Sequence, residues 1–242
     1  MRAFAISYDA ISIVFPHLCY MRVIITAATV AEWMPSFLKM NTLYTSKSQR
    51  LNVRFHQSRV GMLATGISLT RLVWQEKPDL VIQAGIAGCF DQSIPLGKLI
   101  VVKEEILGDM GVAENGKWKD IFDLKLEKSS YPPFDKRKLP NDWLPNFHLL
   151  KLPEVRSITV NEISTNPERI QQLVKKYKPV TESMEGAALH YTCREANIPF
   201  IQIRAISNYI GERNKENWKM KEAIDNLNQA VLKYVDKLYK IS

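Results

Sequence analysis

Cysteine is scarce in this sequence and scattered along it. Cys19, Cys89 and Cys193 make no CxxC pair and are odd in number. That argues against a disulfide framework or a cysteine zinc site, and for a reducing, cytoplasmic setting. Four histidines (His17, His56, His148, His190) share no ligand spacing with those cysteines, so neither a metal nor a cofactor is expected. Long hydrophobic runs are missing too: no stretch reaches the roughly 18 unbroken apolar residues of a membrane span, and no membrane partner is expected. Nor is the positive charge concentrated. The net charge is +8, yet Lys and Arg are interleaved with Asp and Glu, and the densest run, Lys136-Arg137-Lys138, sits among prolines as a solvated loop would. Without a basic stripe interleaved with aromatics, a nucleic-acid partner is not expected. Repeats and low-complexity tracts are absent.

The first twenty residues, MRAFAISYDAISIVFPHLCY, are apolar enough to raise the question of a signal peptide. They hold a single Arg, Asp9 interrupts the apolar part and no A-x-A site follows. Residues 1–20 are therefore expected to be an extension outside the domain, and 21–242 a single domain.

What is present is the material of an α/β core: 242 residues, 46% hydrophobic and 24% charged. Arg22–Ala27 reads as a buried strand by its β-branched run, and Thr29–Met40 as a helix with apolar spacing at Val30, Met34, Phe37 and Leu38. Two further strands are expected over Asn52–Gln57 and Arg59–Thr65, then a helix from Gly66 to Gln75. Strands follow over Asp79–Ala84 and Lys98–Lys103, and the first of these ends in a Gly85-Ile86-Ala87-Gly88 turn. Residues 108–153 are rich in proline and poor in periodic runs, and read as a loop-rich part. Val155–Val160 (strand), Asn166–Lys176 (helix, Pro167 in its first turn), Met184–Ala196 (helix), Phe200–Ile206 (strand) and Asn217–Tyr239 (helix, apolar at 224, 227, 231, 235 and 238) complete the alternation. Such alternation predicts a three-layer αβα sandwich, with ligands collecting at the carboxyl ends of the strands.

Three of those strand ends carry chemistry. Glu32 follows the first strand, GIAG follows Asp79–Ala84, and Ser207-Asn208 follow Phe200–Ile206. Arg204 lies inside a buried apolar strand, where a guanidinium needs a partner. Glu185, followed by Gly-Ala-Ala, offers one: the small residues let a helix approach the sheet closely and put the carboxylate at a crowded, partly dry site. Taken singly, the glycines suit a tight turn and Glu32 suits a helix first turn.

Together, MEGAA (184–188), IRAISN (203–208), GIAG and a glutamate after strand one resemble the purine nucleoside phosphorylase and nucleosidase superfamily. Within it they resemble the branch that includes the 5'-methylthioadenosine/S-adenosylhomocysteine nucleosidases. The resemblance runs from Met21 to the C-terminus. It implies a central mixed sheet, a small-molecule nucleoside substrate and a homo-oligomer. It also implies roles: Glu185 for the ribose hydroxyls, Met184 under the sugar, Arg204 behind Glu185, Ser207 and Asn208 facing the purine, and Glu32 activating water. Gly85, Ile86, Ala87 and Gly88 would line the substrate. Phosphorylases of the superfamily carry a glycine-and-arginine phosphate cradle after strand one; here that segment is TAATVAEW, without arginine, so water is the expected nucleophile.

Where adenine-releasing nucleosidases carry Asp, this chain has Asn208. An amide presents one donor and one acceptor in a plane, which suits a 6-oxopurine. Asn208 with the run ISNYIGERN and Trp218 resembles the futalosine-hydrolysing branch, which releases hypoxanthine in menaquinone formation. There a carboxylated 5' substituent calls for a cation, and Arg213 is the candidate. Three departures stand: Ile86 replaces a common serine, Ser183 replaces a glutamate beside the ribose-binding one, and Asn214 stands where Asp is frequent. The alternatives are a phosphorylase acting on inosine or guanosine, a methylthioadenosine-type nucleosidase, and a non-catalytic nucleoside-binding module.

Overall fold

The computed structural model describes residues 20–43 and 51–241; apart from Tyr20, the expected N-terminal extension lies outside them. Strand β1 (Met21–Ala27) is buried from Val23 on and pairs in parallel with β2 (Leu51–Gln57) and β3 (Leu80–Cys89). Branched side chains restrict χ1 and fill both faces of a covered strand, and that is what the runs VIIT and LVI supply. Beyond β3 the sheet continues through β10 (Phe200–Tyr209), β4 (Leu99–Leu107), β8 (Glu154–Thr159) and β9 (Thr181–Ser183). β9 then returns to the end of β3, Gly88 opposite Glu182, so β3, β10, β4, β8 and β9 close into a ring. Parallel pairs (β1–β2, β1–β3, β10–β3, β4–β8, β8–β9) and antiparallel ones (β10–β4, β3–β9) make the sheet mixed.

Helices cover both faces. Helix α1 (Val30–Leu43) and the terminal helix α6 (Met220–Ile241) pack on one, where Leu227, Val231, Val235 and Leu238 meet Val23, Ile25, Ile82 and Ile203. Helices α2 (Met62–Glu76) and α5 (Gly186–Glu195) cover the other through Leu69, Leu72, Leu189 and Cys193 against Ile24, Val81 and Phe200. The expected apolar stripe of the terminal helix is thus its buried face. On α1 the expected stripe is partly wrong, because Leu38 is 58% exposed while Phe37 turns into an aromatic cluster with Trp33 and Phe55.

Four local expectations are corrected. Arg59–Thr65 is no strand: β2 ends at Gln57, Arg59 and Gly61 take φ of 71° and 93°, and α2 starts at Met62. Gly66 lies within that helix against Ala188, where its small size serves helix packing. GIAG forms no turn. β3 runs through to Cys89, because its far end is still paired with β10 and then β9. Met184–Ala196 is not helical throughout: Met184 and Glu185 link β9 to α5, which begins only at Gly186. The terminal helix begins at Met220, after a short 3-10 turn over Lys215–Asn217.

The loop-rich stretch contains a hairpin, β5 (Gly111–Glu114) with β6 (Lys117–Asp120), a two-residue β7 (Leu139–Pro140) on β4 and a short helix α3 (Leu144–Phe147). The hairpin turns on Asn115-Gly116 with φ of 51° and 71°, the pair that a tight two-residue turn favours. Asp120 fastens it down. That carboxylate is 2% exposed, accepts from the N–H groups of Phe122 and Asp123, and pairs with Arg137 and with Lys176 on α4 (Pro167–Tyr177).

Candidate active site

The candidate residues converge at the carboxyl ends of β1, β3, β9 and β10. Thr29 and Glu32 open α1 with one half of a capping box: Glu32 Oε2 accepts from the Thr29 N–H at 2.9 Å and from its hydroxyl at 3.0 Å. The other oxygen, Oε1, accepts from the Ile86 N–H of β3 at 3.2 Å. Glu32 is therefore a helix-capping residue and, at 7% exposure, a buried carboxylate aimed at the same strand end.

Arg204 enters from the neighbouring strand β10 and is 2% exposed. Nη2 donates to Gln83 Oε1 at 2.8 Å and Nη1 to the Ile86 carbonyl at 3.4 Å, while Glu185 Oε2 lies 3.7 Å from Nη1. Arg204 pairs with Gly85 across the ladder. A Cβ on residue 85 would overlap Arg204 Nη1 and would come 3.2 Å from Glu32 Oε1. Gly85 is therefore glycine to leave room for the Arg204 guanidinium, with the Glu32 carboxylate close by, and not to make a turn.

Glu185 is the N-cap residue of α5, yet its side chain does not cap that helix. It reaches instead to the N–H of Gly61, at the start of α2, at 3.2 Å. Burial pushes the Glu185 carboxyl above its ordinary range; the charge of Arg204 and the Gly61 N–H pull it back, and Glu32 pushes it up again. Two carboxylates and one arginine thus leave the site with an excess of negative charge when all are ionised, suited to a positive charge developing beside them.

At the end of β10 the ladder shifts register between Ile206 and Asn208. The Ser207 hydroxyl donates to Asn208 Oδ1 at 2.9 Å and lies 3.3 Å from the Ala87 carbonyl, while Asn208 Nδ2 donates to the Tyr209 carbonyl at 3.1 Å. Asn208 stands opposite Gly88, where a Cβ would collide with Ile210. Met184 is half-buried in the link before Glu185. Ile86 serves through its backbone N–H and carbonyl. Arg213 is not brought in with these groups: it lies on the exposed loop after β10, its guanidinium 5.4 Å over the Trp218 ring.

The structure adds three participants that sequence reasoning did not find. Gly61 contributes only a backbone N–H. Gln83 is the direct acceptor of Arg204 and was hidden in an apolar strand. Glu105, on β4, is fully buried beneath α5, accepting from Gln202 Nε2 at 2.8 Å and from the Thr159 hydroxyl at 2.9 Å. A carboxylate within an apolar run was the signal available for it. Desolvation pushes Glu105 up to about 7, against the pull of Gln202, Arg204 and Thr159.

A mixed α/β sheet with two carboxylates and an arginine at its strand ends defines a class, and the comparison with known families agrees with it. The model described as the phosphorylase superfamily matches residues 36–238, and the chain belongs to that superfamily. The futalosine hydrolase of Thermus thermophilus is 26% identical over 176 residues, covering 72% of this chain and 77% of that protein. The 5'-methylthioadenosine/S-adenosylhomocysteine nucleosidase of Pseudoalteromonas translucida is 25% identical over 217 residues, covering 83% and 86%. In fold, the chain is similar to the solved nucleosidase of that name from Colwellia psychrerythraea, with a TM-score of 0.72, 21% identity and coverage of 92% and 98%.

Two stability measurements check this geometry. Gly85→Ala drives a methyl into the Arg204 guanidinium and is expected to lower the unfolding free energy by about 1–3 kcal/mol, the usual cost of overpacking; urea denaturation reads it, and an unchanged midpoint would contradict the packing described. The raised Glu105 carboxyl stabilises the fold fully below the ordinary glutamate range, and that contribution is lost as pH rises through about 7. The stability of wild type relative to Glu105→Gln is therefore expected to fall over that window, and a constant difference would refute it.

Proposed function

We propose that this protein hydrolyses the N-glycosidic bond of a purine nucleoside, that the base is a 6-oxopurine, and that futalosine, releasing hypoxanthine, is the substrate. The observation that carries the reaction class is the pair of buried carboxylates, Glu32 and Glu185, gathered near Arg204 at the strand ends. Cleavage of a glycosidic bond passes through an oxocarbenium-like sugar. In this reading Glu185 receives the ribose hydroxyls and stabilises the cation, while Arg204 holds Glu185 ionised and in place. Met184 packs under the sugar. Glu32 draws the proton from water as it attacks the anomeric carbon, a general-base role worth about 10²–10⁴-fold. Water is favoured over phosphate because Arg204 is already held by Gln83, the Ile86 carbonyl and Glu185.

Asn208 supports the 6-oxopurine. With its oxygen held by the Ser207 hydroxyl and one N–H on the Tyr209 carbonyl, the amide keeps a second N–H donor for a base. A 6-oxo oxygen accepts from it; a 6-amino group does not, and buried donors left facing donors discriminate steeply. The futalosine hydrolase relative is in keeping with this choice, while the nucleosidase at nearly equal identity makes adenine release the second reading. Arg213, against Trp218, is the proposed cation for a carboxylated 5' substituent. A homo-oligomer is also proposed, supported by the outward face of α2, where Leu63 (76%), Ile67 (64%) and Trp74 (68%) are exposed at helical spacing. Sedimentation should show a species larger than the 27.8 kDa chain; a monomer at micromolar concentration would remove that part.

The decisive assay presents futalosine, aminodeoxyfutalosine, inosine and methylthioadenosine with and without phosphate, and reads free base. Hypoxanthine released from futalosine without phosphate is expected; strong adenine release, or a phosphate requirement, would overturn the reading. Glu32→Gln is expected to lower kcat/KM by about 10²–10⁴-fold, and Glu185→Gln to abolish turnover. Asn208→Asp should shift preference toward the 6-amino substrate. Because Glu185 titrates above its ordinary range, activity should fall on the acid side at a higher pH than an exposed glutamate would give.

A further inference from the structure

We propose that Thr159 and Glu105 act as a surrogate N-cap for α5, holding Glu185 in the site while relieving it of the capping duty that its position imposes. The inference rests on the reading of Glu185 as the sugar-binding carboxylate. An N-cap side chain normally folds back onto the N–H two or three residues on. Glu185 does not; it extends to the Gly61 N–H and to Arg204. The backbone donors of the first turn still need acceptors. Ala188 and Leu189 find the Glu185 carbonyl, at 3.1 and 3.3 Å. Ala187 finds Thr159, on β8: its N–H donates to Thr159 Oγ1 at 2.7 Å. The threonine hydroxyl in turn donates a hydrogen bond to Glu105 Oε2 at 2.9 Å, and Gln202 Nε2 donates to Oε1 at 2.8 Å.

The chain Ala187 N–H, Thr159, Glu105 thus ends a helix on a carboxylate one layer beneath it, where the helix dipole favours negative charge. Gly186 shows how close that layer is, since a Cβ there would overlap Glu105 Oε1 and Gln202 Nε2. The charged group acting on this carboxylate is Arg204 from β10; His190 from α5 meets the same Gln202 instead. Burial pulls His190 down to about 3, and its Nδ1 is tied to the Leu139 carbonyl at 2.7 Å. A buried carboxylate is weak grounds for stability in itself. Lying directly under the residue after Glu185, this one fixes the turn from which Glu185 projects. Glu105 and Thr159 are thus positioning residues.

The test uses the full chain with Thr159→Val, which keeps shape and loses the hydroxyl, and Thr159→Ser, which keeps it. Amide exchange is followed residue by residue, and kcat/KM is measured on whichever nucleoside the wild type cleaves. In Thr159→Val the Ala187 amide is expected to exchange about tenfold faster than in wild type, the scale of a lost cap, and kcat/KM to fall by a similar factor. Thr159→Ser should restore both, and Glu105→Gln should lie between. The proposal is overturned if Ala187 exchange in Thr159→Val is unchanged, if all core amides accelerate in step with it, or if Thr159→Ser is as impaired as Thr159→Val. It is also overturned if the exchange responds while kcat/KM in an active enzyme stays constant. Wild type that cleaves no nucleoside, with the Ala187 response intact, would instead sink the proposed function and leave the cap standing.

Discussion

A guanidinium buried inside a β-sheet is the constraint on which the neighbourhood of the site depends. Arg204 sits on a central strand with 2% exposure, where an unpaired charge would cost several kcal/mol. Its neighbours are those that meet this demand. Gln83 interrupts an apolar strand to accept from it, Gly85 gives up a side chain to make room, the Ile86 carbonyl turns toward it and Glu185 supplies the opposing charge. The space over Gly85 that Arg204 fills also borders the carboxylate of Glu32, so two acidic groups from distant parts of the chain stand near one cation, with Glu185 as its ion-pair partner.

Three helices begin around this spot, and each handles its free N–H groups differently. α1 is closed by its own Glu32, which reaches back to the N–H and hydroxyl of Thr29. α2 offers the N–H of Gly61 outward to Glu185. α5 is capped from outside, by Thr159 and, behind it, Glu105. The positive ends of several helix dipoles thus point toward the carboxylates, which favours negative charge there. The same arrangement explains why small residues accumulate here: Gly85, Gly88, Gly186 and Ala187 stand where backbone or side-chain atoms of another element approach within contact distance.

Much of the fold could be read from periodicity. The VIIT and LVI runs are central strands, the stripe from Leu227 to Leu238 is the buried face of the last helix, and Asn166-Pro167 opens α4 with Asn166 Oδ1 accepting from the Arg169 N–H. Elsewhere local pattern misled. Arg59–Thr65 looked extended, but residues with positive φ break β2 from α2, a backbone state that no hydrophobic pattern reports. The Asn115-Gly116 hairpin carried a clear turn signal, masked because the flanking strands are only four residues each. The three-residue β9 was too short to declare itself and exists because the sheet closes on itself there.

Of the candidate site, the residue types and their order along the chain were legible: Glu32 and Glu185 stand close to expected helix starts, and Arg204, Ser207 and Asn208 lie in or at the end of an expected strand, which runs on to Tyr209. Their partners were not. Gly61 acts through a backbone N–H, which has no signature in its side chain. Gln83 meets Arg204 only because β3 and β10 are neighbours, although they lie far apart in sequence. Glu105 matters because β4 passes beneath the first turn of α5. Hydrophobic periodicity acts within an element, so it can be read one segment at a time. Hydrogen bonds and charge pairing act across elements, and which atoms meet is settled only when the sheet has closed and the helices have docked.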